Sequence, residues 1–97
     1  MEIVLLIDNK NLQKVREILL KDDIVSRASI IFKDAKTLLN KEGHYCYISG
    51  TEEQCKRAID STKDLSKPLN KEEENKVIRK IKEEENKANI GFGNIFG

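Results

Sequence analysis

One stretch of the chain, Gly43 to Ala58, carries most of the residue types that could do covalent or metal chemistry. It holds the only histidine, both cysteines and both tyrosines of the 97 residues. If residues 44–49 form a strand, His44 and Cys46 share one of its faces. The helix that follows would bring Cys55 towards Cys46. The spacing therefore raises two chemical possibilities, a metal site and a cysteine nucleophile activated by histidine.

Neither possibility has the full set of residues that it needs. His44, Cys46 and Cys55 supply three metal ligands, but the local sequence has no fourth ligand and no paired C-x-x-C motif. A catalytic cysteine also needs a third group to orient the histidine. Free cysteine is among the most buried residue types, so we predict that both are small buried hydrophobes. A reversible Cys46–Cys55 disulfide is left open.

Catalytic motifs are missing from the rest of the sequence as well. The chain has no phosphate loop, no G-x-S-x-G, no H-E-x-x-H and no carboxylate pair that stands out from the Lys/Glu background. We therefore expect a protein that is not an enzyme, with no catalytic residues, no metal and no cofactor.

The charges are numerous but balanced. Charged residues make up 36% of the chain, yet Lys+Arg 18 against Asp+Glu 17 leaves a net charge of +1. This balance gives no general field to attract nucleic acid or an anionic membrane. The longest apolar run, residues 3–7, is far too short to span a bilayer, and no secretory signal pattern precedes it. We expect a cytoplasmic protein with no membrane partner, and the abundance of Lys and Glu is typical of thermophiles.

Hydrophobic periodicity predicts an order of strand, helix, strand, strand and helix. The strands would cover residues 2–7, 24–32 and 44–49, and the helices residues 12–21 and 52–65. Residues 33–43 form either a short helix or a loop that closes at Gly43. Thr51 and Gln54 make an S/T-x-x-E/Q capping box, the strongest local signal in the chain. Asp8 or Asn9 is placed to cap the first helix.

This order predicts an α+β domain of the ferredoxin-like, split βαβ kind over residues 1–66. It would be a two-layer sandwich, β-α-β-β-α, with both helices on one face of the sheet. Residues 67–97 would add a connector containing Pro68, a charged helix with a narrow apolar stripe, and a Gly/Phe tail. No fourth strand is evident between the second and third helices, so we expect the tail or a neighbouring protomer to supply one.

The sheet face opposite the two helices is predicted to be apolar and to need a cover. It would carry Val4, Leu6, Arg27, Ile31, Tyr45 and Tyr47. A face of this size meets the third helix, another protomer or a ligand. The tail residues Phe92, Ile95 and Phe96 lie among glycines, which predicts a flexible strap that docks on a neighbouring protein. We therefore expect a homo-oligomer, a dimer or larger.

Two tyrosines on one sheet face also suggest a platform on which RNA bases stack. The RNA-recognition signature, however, would need a basic residue at Glu42 and aromatic residues at His44 and Cys46. The segment "YISGTEEQCKRAIDS" resembles the last strand and helix of KH domains, which implies nucleic-acid binding. The G-x-x-G loop of that family is not in the chain. The basic residues available to such a module are Lys10, Lys14, Arg16, Lys33, Lys36, Lys56 and Arg57.

A longer resemblance covers most of residues 1–65. "EIVLLIDNKNLQKVREILLKDDI" is similar to the opening of ACT-type regulatory domains, in which a strand ends in an Asp-containing turn and a helix follows. The resemblance implies a small ligand, often an amino acid, bound at that turn and at an interface between paired domains. The residues concerned would be Asp8, Asn9, Lys10 and Asn11. The chain departs from the pattern because this turn has no glycine.

Three functions follow from these observations. The first is a small self-associating interaction or regulatory module without catalysis, because the apolar face and the tail both require partners. The second is an ACT-like domain that binds a small ligand at the first turn. The third is a nucleic-acid-binding module of KH-like or RRM-like type, which the balanced charge disfavours.

Overall fold

The computed structural model describes the backbone of residues 1–96 and the side chains of residues 1–85. The chain forms a four-stranded antiparallel sheet and four α-helices, which confirms the predicted α+β class. The strands are β1 (Glu2–Ile7), β2 (Ser29–Asp34), β3 (His44–Ser49) and β4 (Ser66–Pro68). The helices are α1 (Leu12–Lys21), α2 (Ala35–Leu39), α3 (Glu52–Ser61) and α4 (Lys71–Phe96), and two short 3-10 turns cover Asn9–Asn11 and Val25–Arg27.

The sheet order is β2-β3-β1-β4, and every neighbouring pair of strands is antiparallel. β1 is therefore central, as its two apolar faces predict. One of its faces, with Ile3, Leu5 and Ile7, packs against α1 and α3. The other face, with Val4 and Leu6, packs on the opposite side of the sheet. The alternation of side chains along the strand thus divides the protein into two cores.

The first core lies between the sheet and helices α1 and α3. Val15 and Leu19 of α1 meet Cys55 and Ala58 of α3 above the strands. α3 begins at the predicted capping box: the Gln54 backbone N–H donates to Thr51 Oγ1 at 3.1 Å, and the Thr51 N–H donates to Gln54 Oε1 at 2.9 Å. These bonds satisfy N–H groups that the first helical turn would otherwise leave unpaired.

The second strand begins later than the sequence indicated. The Asp22 carboxylate accepts the backbone N–H groups of Ile24 and Val25 at 2.9 and 3.0 Å, which curls residues 25–27 into a 3-10 turn. Val25 is completely buried in that turn, so it packs in the first core without belonging to a strand. Arg27 consequently lies outside the sheet, and its predicted place on the tyrosine face is wrong.

The segment of ambiguous pattern between β2 and β3 contains the short helix α2. The Asp34 side chain caps it by accepting the Lys36 N–H at 2.9 Å, and Asn40 ends it in the left-handed region with φ 56°. The chain then turns at Gly43, as predicted, with φ +102°. An L side chain rarely adopts this conformation, so the turn requires glycine.

A fourth strand, β4, lies where the sequence showed only a connector. Ser66–Pro68 pairs with Leu5–Ile7 of β1 at the edge of the sheet. Pro68 is tolerated there because an edge strand leaves outward positions without a hydrogen-bond partner. The expectation that the tail or another protomer supplies this strand is therefore wrong. β4 is only three residues long and mostly polar, so it has no detectable periodicity.

Helix α4 covers the second face of the sheet. Its residues Val77 and Ile81 are fully buried in a second core. The other buried members of that core are Val4, Ala35, Leu38, Tyr45 and Tyr47. The sequence allowed three covers for the tyrosine face: the predicted third helix, another protomer or a ligand. The structure shows that the predicted third helix, which is α4, covers it. Over the described residues, no helix has an apolar stretch long enough to cross a membrane.

Candidate functional site

The first turn after β1, residues 8–11, does not act as a helix cap through its side chains. In the structure as described, the Asp8 and Asn11 side chains make no capping hydrogen bond. The Asn11 backbone N–H donates instead to the Asp8 carbonyl at 2.9 Å, which forms the 3-10 turn. Asn9 Oδ1 lies 2.8 Å from His44 Nδ1, so the Asn9 side chain bonds to the first residue of β3 and not to the first turn of a helix. The predicted cap at Asp8 or Asn9 is therefore wrong.

A recess of about 190 Å³ opens beside this turn. Asp8 and Asn11 contribute to its wall, whereas Asn9 bonds His44 and Lys10 is exposed elsewhere on the turn. The complete lining is Leu6, Asp8, Asn11, Lys63, Asp64, Leu65, Ser66 and Lys67. The last five of these come from the turn after α3 and from β4, so only the pairing of β4 with β1 brings them to the site.

The recess brings together charges of both signs. Two acidic residues, Asp8 and Asp64, and two basic residues, Lys63 and Lys67, line it. Ordinary small-molecule pockets are mostly apolar with a few polar groups. A lining with two cations and two anions complements a small molecule that itself carries both charges.

The tyrosine face is closed by a buried polar contact as well as by apolar packing. Tyr45 is fully buried, and its hydroxyl donates to Glu73 Oε1 of α4 at 3.2 Å. The same carboxylate forms an ion pair with Lys41. Burial, together with the adjacent Glu73 carboxylate, raises the pKa of Tyr45 to about 12. Lys41 in turn lowers the pKa of Glu73, so the carboxylate is charged at neutral pH.

Tyr45 is expected to titrate about two pH units above free tyrosine. Because the folded state favours the neutral phenol, its contribution to stability is complete below the ordinary pKa of 10.0 and is lost as pH rises towards about 12. The ultraviolet absorbance of phenolate in a Tyr47→Phe variant, which leaves a single tyrosine, would measure this pKa. The same variant in denaturant is the control, and identical titration in both states would contradict the buried hydroxyl.

Three further polar contacts fasten α4 to the sheet. The Val4 N–H, which β4 is too short to reach, donates to Glu74 Oε2 at 3.3 Å. Lys82 pairs with Glu2 at 3.2 Å, and Glu84 pairs with Lys33 at 3.1 Å. The Glu74 contact satisfies a main-chain donor of a central strand, which is costly to leave unpaired. The position of α4 is therefore specified by hydrogen bonds in addition to its apolar stripe.

Both cysteines lie in the first core, as predicted. Cys46 and Cys55 are completely buried free thiols. Burial raises the pKa of the Cys46 thiol to about 12 and also raises that of Cys55. A thiol in this state is protonated and a poor nucleophile at neutral pH. Within the described side chains, no three His, Cys, Asp or Glu residues form a cluster suited to a metal ion.

The two edges of the sheet differ in their protection. β4 is short and contains Lys67 and Pro68, which are features that block further strand pairing. β2 is twice as long, with the sequence SIIFKD, and Ile30, Ile31 and Phe32 are half-buried. Among the residues that the structure describes, no segment pairs with the outer side of β2.

The hydrogen-bond pattern identifies which β2 residues face outward. The Ala35 N–H donates to the Gly43 carbonyl at 3.0 Å, continuing the β2–β3 register. Because hydrogen-bonded positions alternate in an antiparallel pair, Ile31 and Lys33 bond to β3. The main-chain groups of Ile30 and Phe32 therefore point to the open edge. Phe32 also carries the Arg16 guanidinium over its ring, 5.1 Å from the centroid.

The predicted interface residues have mixed locations. Val4, Tyr45 and Tyr47 are buried beneath α4, and Leu6 and Ile31 are half-buried beside them. The backbone of α4 runs to Phe96, so the predicted flexible strap is wrong. The side chains of Phe92, Ile95 and Phe96 lie outside the described ones, so tail docking stays a prediction. The role of this set as an interface also stays a prediction.

The basic residues proposed for nucleic acid are dispersed. Lys33 pairs with Glu84, Lys56 with Glu52, and Arg57 with Asp22. The last two pairs line an open groove of about 800 Å³ beside α3, which also carries Glu53 and Asp60. Because acidic side chains accompany the basic ones, this groove provides no cationic track for a phosphate backbone. Nucleic-acid binding stays a prediction from the sequence.

Comparison with known proteins supplies no family for this chain. No family model, no curated protein and no solved structure matches it.

Proposed function

We propose that this chain is a small non-catalytic interaction module that self-associates through the open edge of β2. The observation that carries the proposal is that no described residue pairs with the outer edge of β2. It has six residues without proline and outward main-chain groups at Ile30 and Phe32. Half-buried apolar side chains accompany them. Such an edge is a template for pairing with another strand.

The opposite edge supports the assignment by contrast. β4 ends after three residues, carries Lys67 and Pro68, and leaves the Val4 N–H to a side chain of α4. Protection of one edge and not the other is expected of a protein that uses the second edge for binding. The sequence predicted self-association through the tyrosine face. Because α4 covers that face, we propose the edge of β2 as the contact surface instead.

We also infer that the arrangement is the ferredoxin-like, split βαβ type that the sequence indicated. Two features support this inference. The β1–α1–β2 and β3–α3–β4 units each leave one strand position between their strands, since the order is β2-β3-β1-β4. In addition, α1 and α3 share one core on one face of the sheet. In this view, α4 is an added layer.

Self-association through β2 can be tested with proline at an outward position. Ile30→Pro removes the isoleucine side chain and also the main-chain donor that points away from β3, whereas Ile30→Ala removes the side-chain packing and keeps the donor. Wild type and Ile30→Ala should have a light-scattering mass of twice 11.1 kDa, and Ile30→Pro should be monomeric. Circular dichroism checks that each variant is folded. A monomeric wild type, or a dimer unaffected by Ile30→Pro, would refute the proposal.

A second function, binding of a small ligand at the first turn, is favoured by one specific observation. Asp8 and Asn11 do not cap a helix, although they line a recess with Lys63, Asp64 and Lys67. We infer that the recess takes a small molecule with both a positive and a negative charge, such as an amino acid. In this reading the chain is a regulatory module.

The ligand hypothesis predicts a thermal shift with amino acids that Asp8→Ala abolishes. Loss of the carboxylate removes the partner of the ligand's ammonium group, and a charged hydrogen bond of this kind contributes about 1.5–3 kcal/mol. Lys10→Ala is the matched control, because Lys10 is exposed on the same turn and does not line the recess. Twenty amino acids that all leave the melting temperature unchanged would reject the hypothesis.

A further inference from the structure

We propose that the partner strand is β2 of a second copy, antiparallel and in a register centred on Ile31. This inference rests on the proposed function, since it names the occupant and geometry of the same edge. It would join the two sheets into one continuous sheet, with α1 and α3 of both copies on one side and α4 of both on the other.

The geometry of a two-fold pair limits the possible registers. Side chains directly opposite each other on antiparallel strands lie on the same side of the sheet. Residues 29, 31 and 33 face α4, and residues 30 and 32 face α1 and α3. An even-numbered residue must therefore stand opposite an even-numbered one, and an odd-numbered residue opposite an odd-numbered one. The two-fold axis consequently lies between one residue and the same residue of the other copy. The centres with useful overlap are Ile31 and Phe32.

The sequence of β2 is self-complementary about Ile31. In that register Ser29 stands opposite Lys33, Ile30 opposite Phe32, and Ile31 opposite its own copy. Within residues 29–33, every apolar residue thus meets an apolar residue and each polar residue meets a polar one, whereas Asp34 stands opposite Ala28, which lies outside β2. Such cross-strand pairs are the unit of sheet stabilisation.

The register centred on Phe32 lacks this match. It would place Ile31 opposite Lys33 and Ile30 opposite Asp34, so two apolar residues in each strand would face charged groups. A centre at Ile30 would leave only residues 29–31 paired, because residues 25–27 belong to a 3-10 turn. Residue pairing therefore selects Ile31 as the centre.

The main chain and the charges fit the same register. Ile30 and Phe32 both face outward and stand opposite each other, so each exchanges its N–H and C=O with the other copy. The Lys33 ammonium is already paired with Glu84 of its own chain at 3.1 Å, so its charge is neutralised beside the β2–β2 interface. Pairing uses the open edge of both copies and leaves only the protected β4 edges, so the assembly stops at a dimer.

Disulfide trapping tests the register in the full chain. Ile31→Cys would place two thiols opposite each other at a non-hydrogen-bonded pair, about 4.5 Å apart between Cα atoms, within disulfide range. We expect rapid conversion to the linked dimer under mild oxidation. Lys33→Cys, on the same face, should not link to itself but should link to a Ser29→Cys chain when the two are mixed. The native cysteines are buried and do not interfere.

A charge pair provides a second readout that does not require oxidation. Ile31→Glu and Ile31→Lys chains should each be monomeric, because like charges would stand opposite each other, and their mixture should form a heterodimer. Self-linking of a Phe32→Cys variant in place of Ile31→Cys would overturn the register and leave edge pairing intact. A chain that remains monomeric, or a dimer indifferent to Ile30→Pro, would overturn both the register and the proposed function.

Discussion

Gly43→Ala is expected to lower the free energy of unfolding by about 2–4 kcal/mol. Gly43 has φ +102°, which an L side chain rarely adopts, and an added Cβ would lie 2.6 Å from the Ile7 carbonyl oxygen of β1. That oxygen belongs to the main chain of the central strand, so it cannot move away without disturbing the β1–β3 pairing. Urea denaturation followed by circular dichroism measures the loss. It is a large part of the stability of a small domain.

Gly50→Ala is the matched control, at the other end of β3. There the added Cβ meets chiefly the end of the Gln54 side chain, which can rotate away at the expense of the capping box. A lost cap costs about 1 kcal/mol, so this variant should be the milder of the two. A loss of only about 1 kcal/mol in Gly43→Ala, as expected for Gly50→Ala, would mean that the turn at Gly43 does not require glycine.

Ile81→Asp is expected to have the other large effect, a destabilisation of about 4 kcal/mol or more. Ile81 is fully buried between α4 and the tyrosine face. The substitution removes apolar packing and buries a carboxylate among Val4, Tyr45 and Val77, none of which offers a positive partner. We expect α4 to detach or the whole domain to unfold. Near-ultraviolet circular dichroism of the tyrosines distinguishes these two results from the native state.

Asn75→Asp adds the same charge to the same helix at an exposed position. It should change the free energy of unfolding by no more than about 0.5 kcal/mol. If Ile81→Asp were equally mild, α4 would not cover the sheet, and the tyrosine face would again be available as an interaction surface. The pair of variants therefore also tests the premise that α4 covers the tyrosine face, on which the choice of the β2 edge as the contact surface depends.

Local patterns predicted those parts of the fold that depend on neighbours in sequence. The alternation in Glu2–Ile7 and His44–Ser49 assigned both faces of β1 and β3 correctly, because the period of a strand is a local property. Both hydrogen bonds of the predicted Thr51/Gln54 capping box are present, because they join residues only three positions apart. Burial of the two cysteines also followed from their positions on apolar faces.

Other features were decided by contacts between distant residues. Whether Val25 began a strand depended on the Asp22 carboxylate, and the place of β4 depended on the free side of β1. Of the predicted ligand residues, Asp8 and Asn11 reach the recess only beside Lys63 and Lys67, which lie more than fifty positions later in the chain. No local period records such a juxtaposition.

The sequence by itself determined the α+β class, the two-sided central strand and the presence of a helix after Asn70 with a narrow apolar stripe. Only the tertiary structure decided that this helix covers the tyrosine face and that none of the described residues pairs with the outer edge of β2. The physical reason is that a pattern of apolar residues records how much surface must be buried, whereas the surface that buries it is chosen by shape and by pairs such as Tyr45 with Glu73.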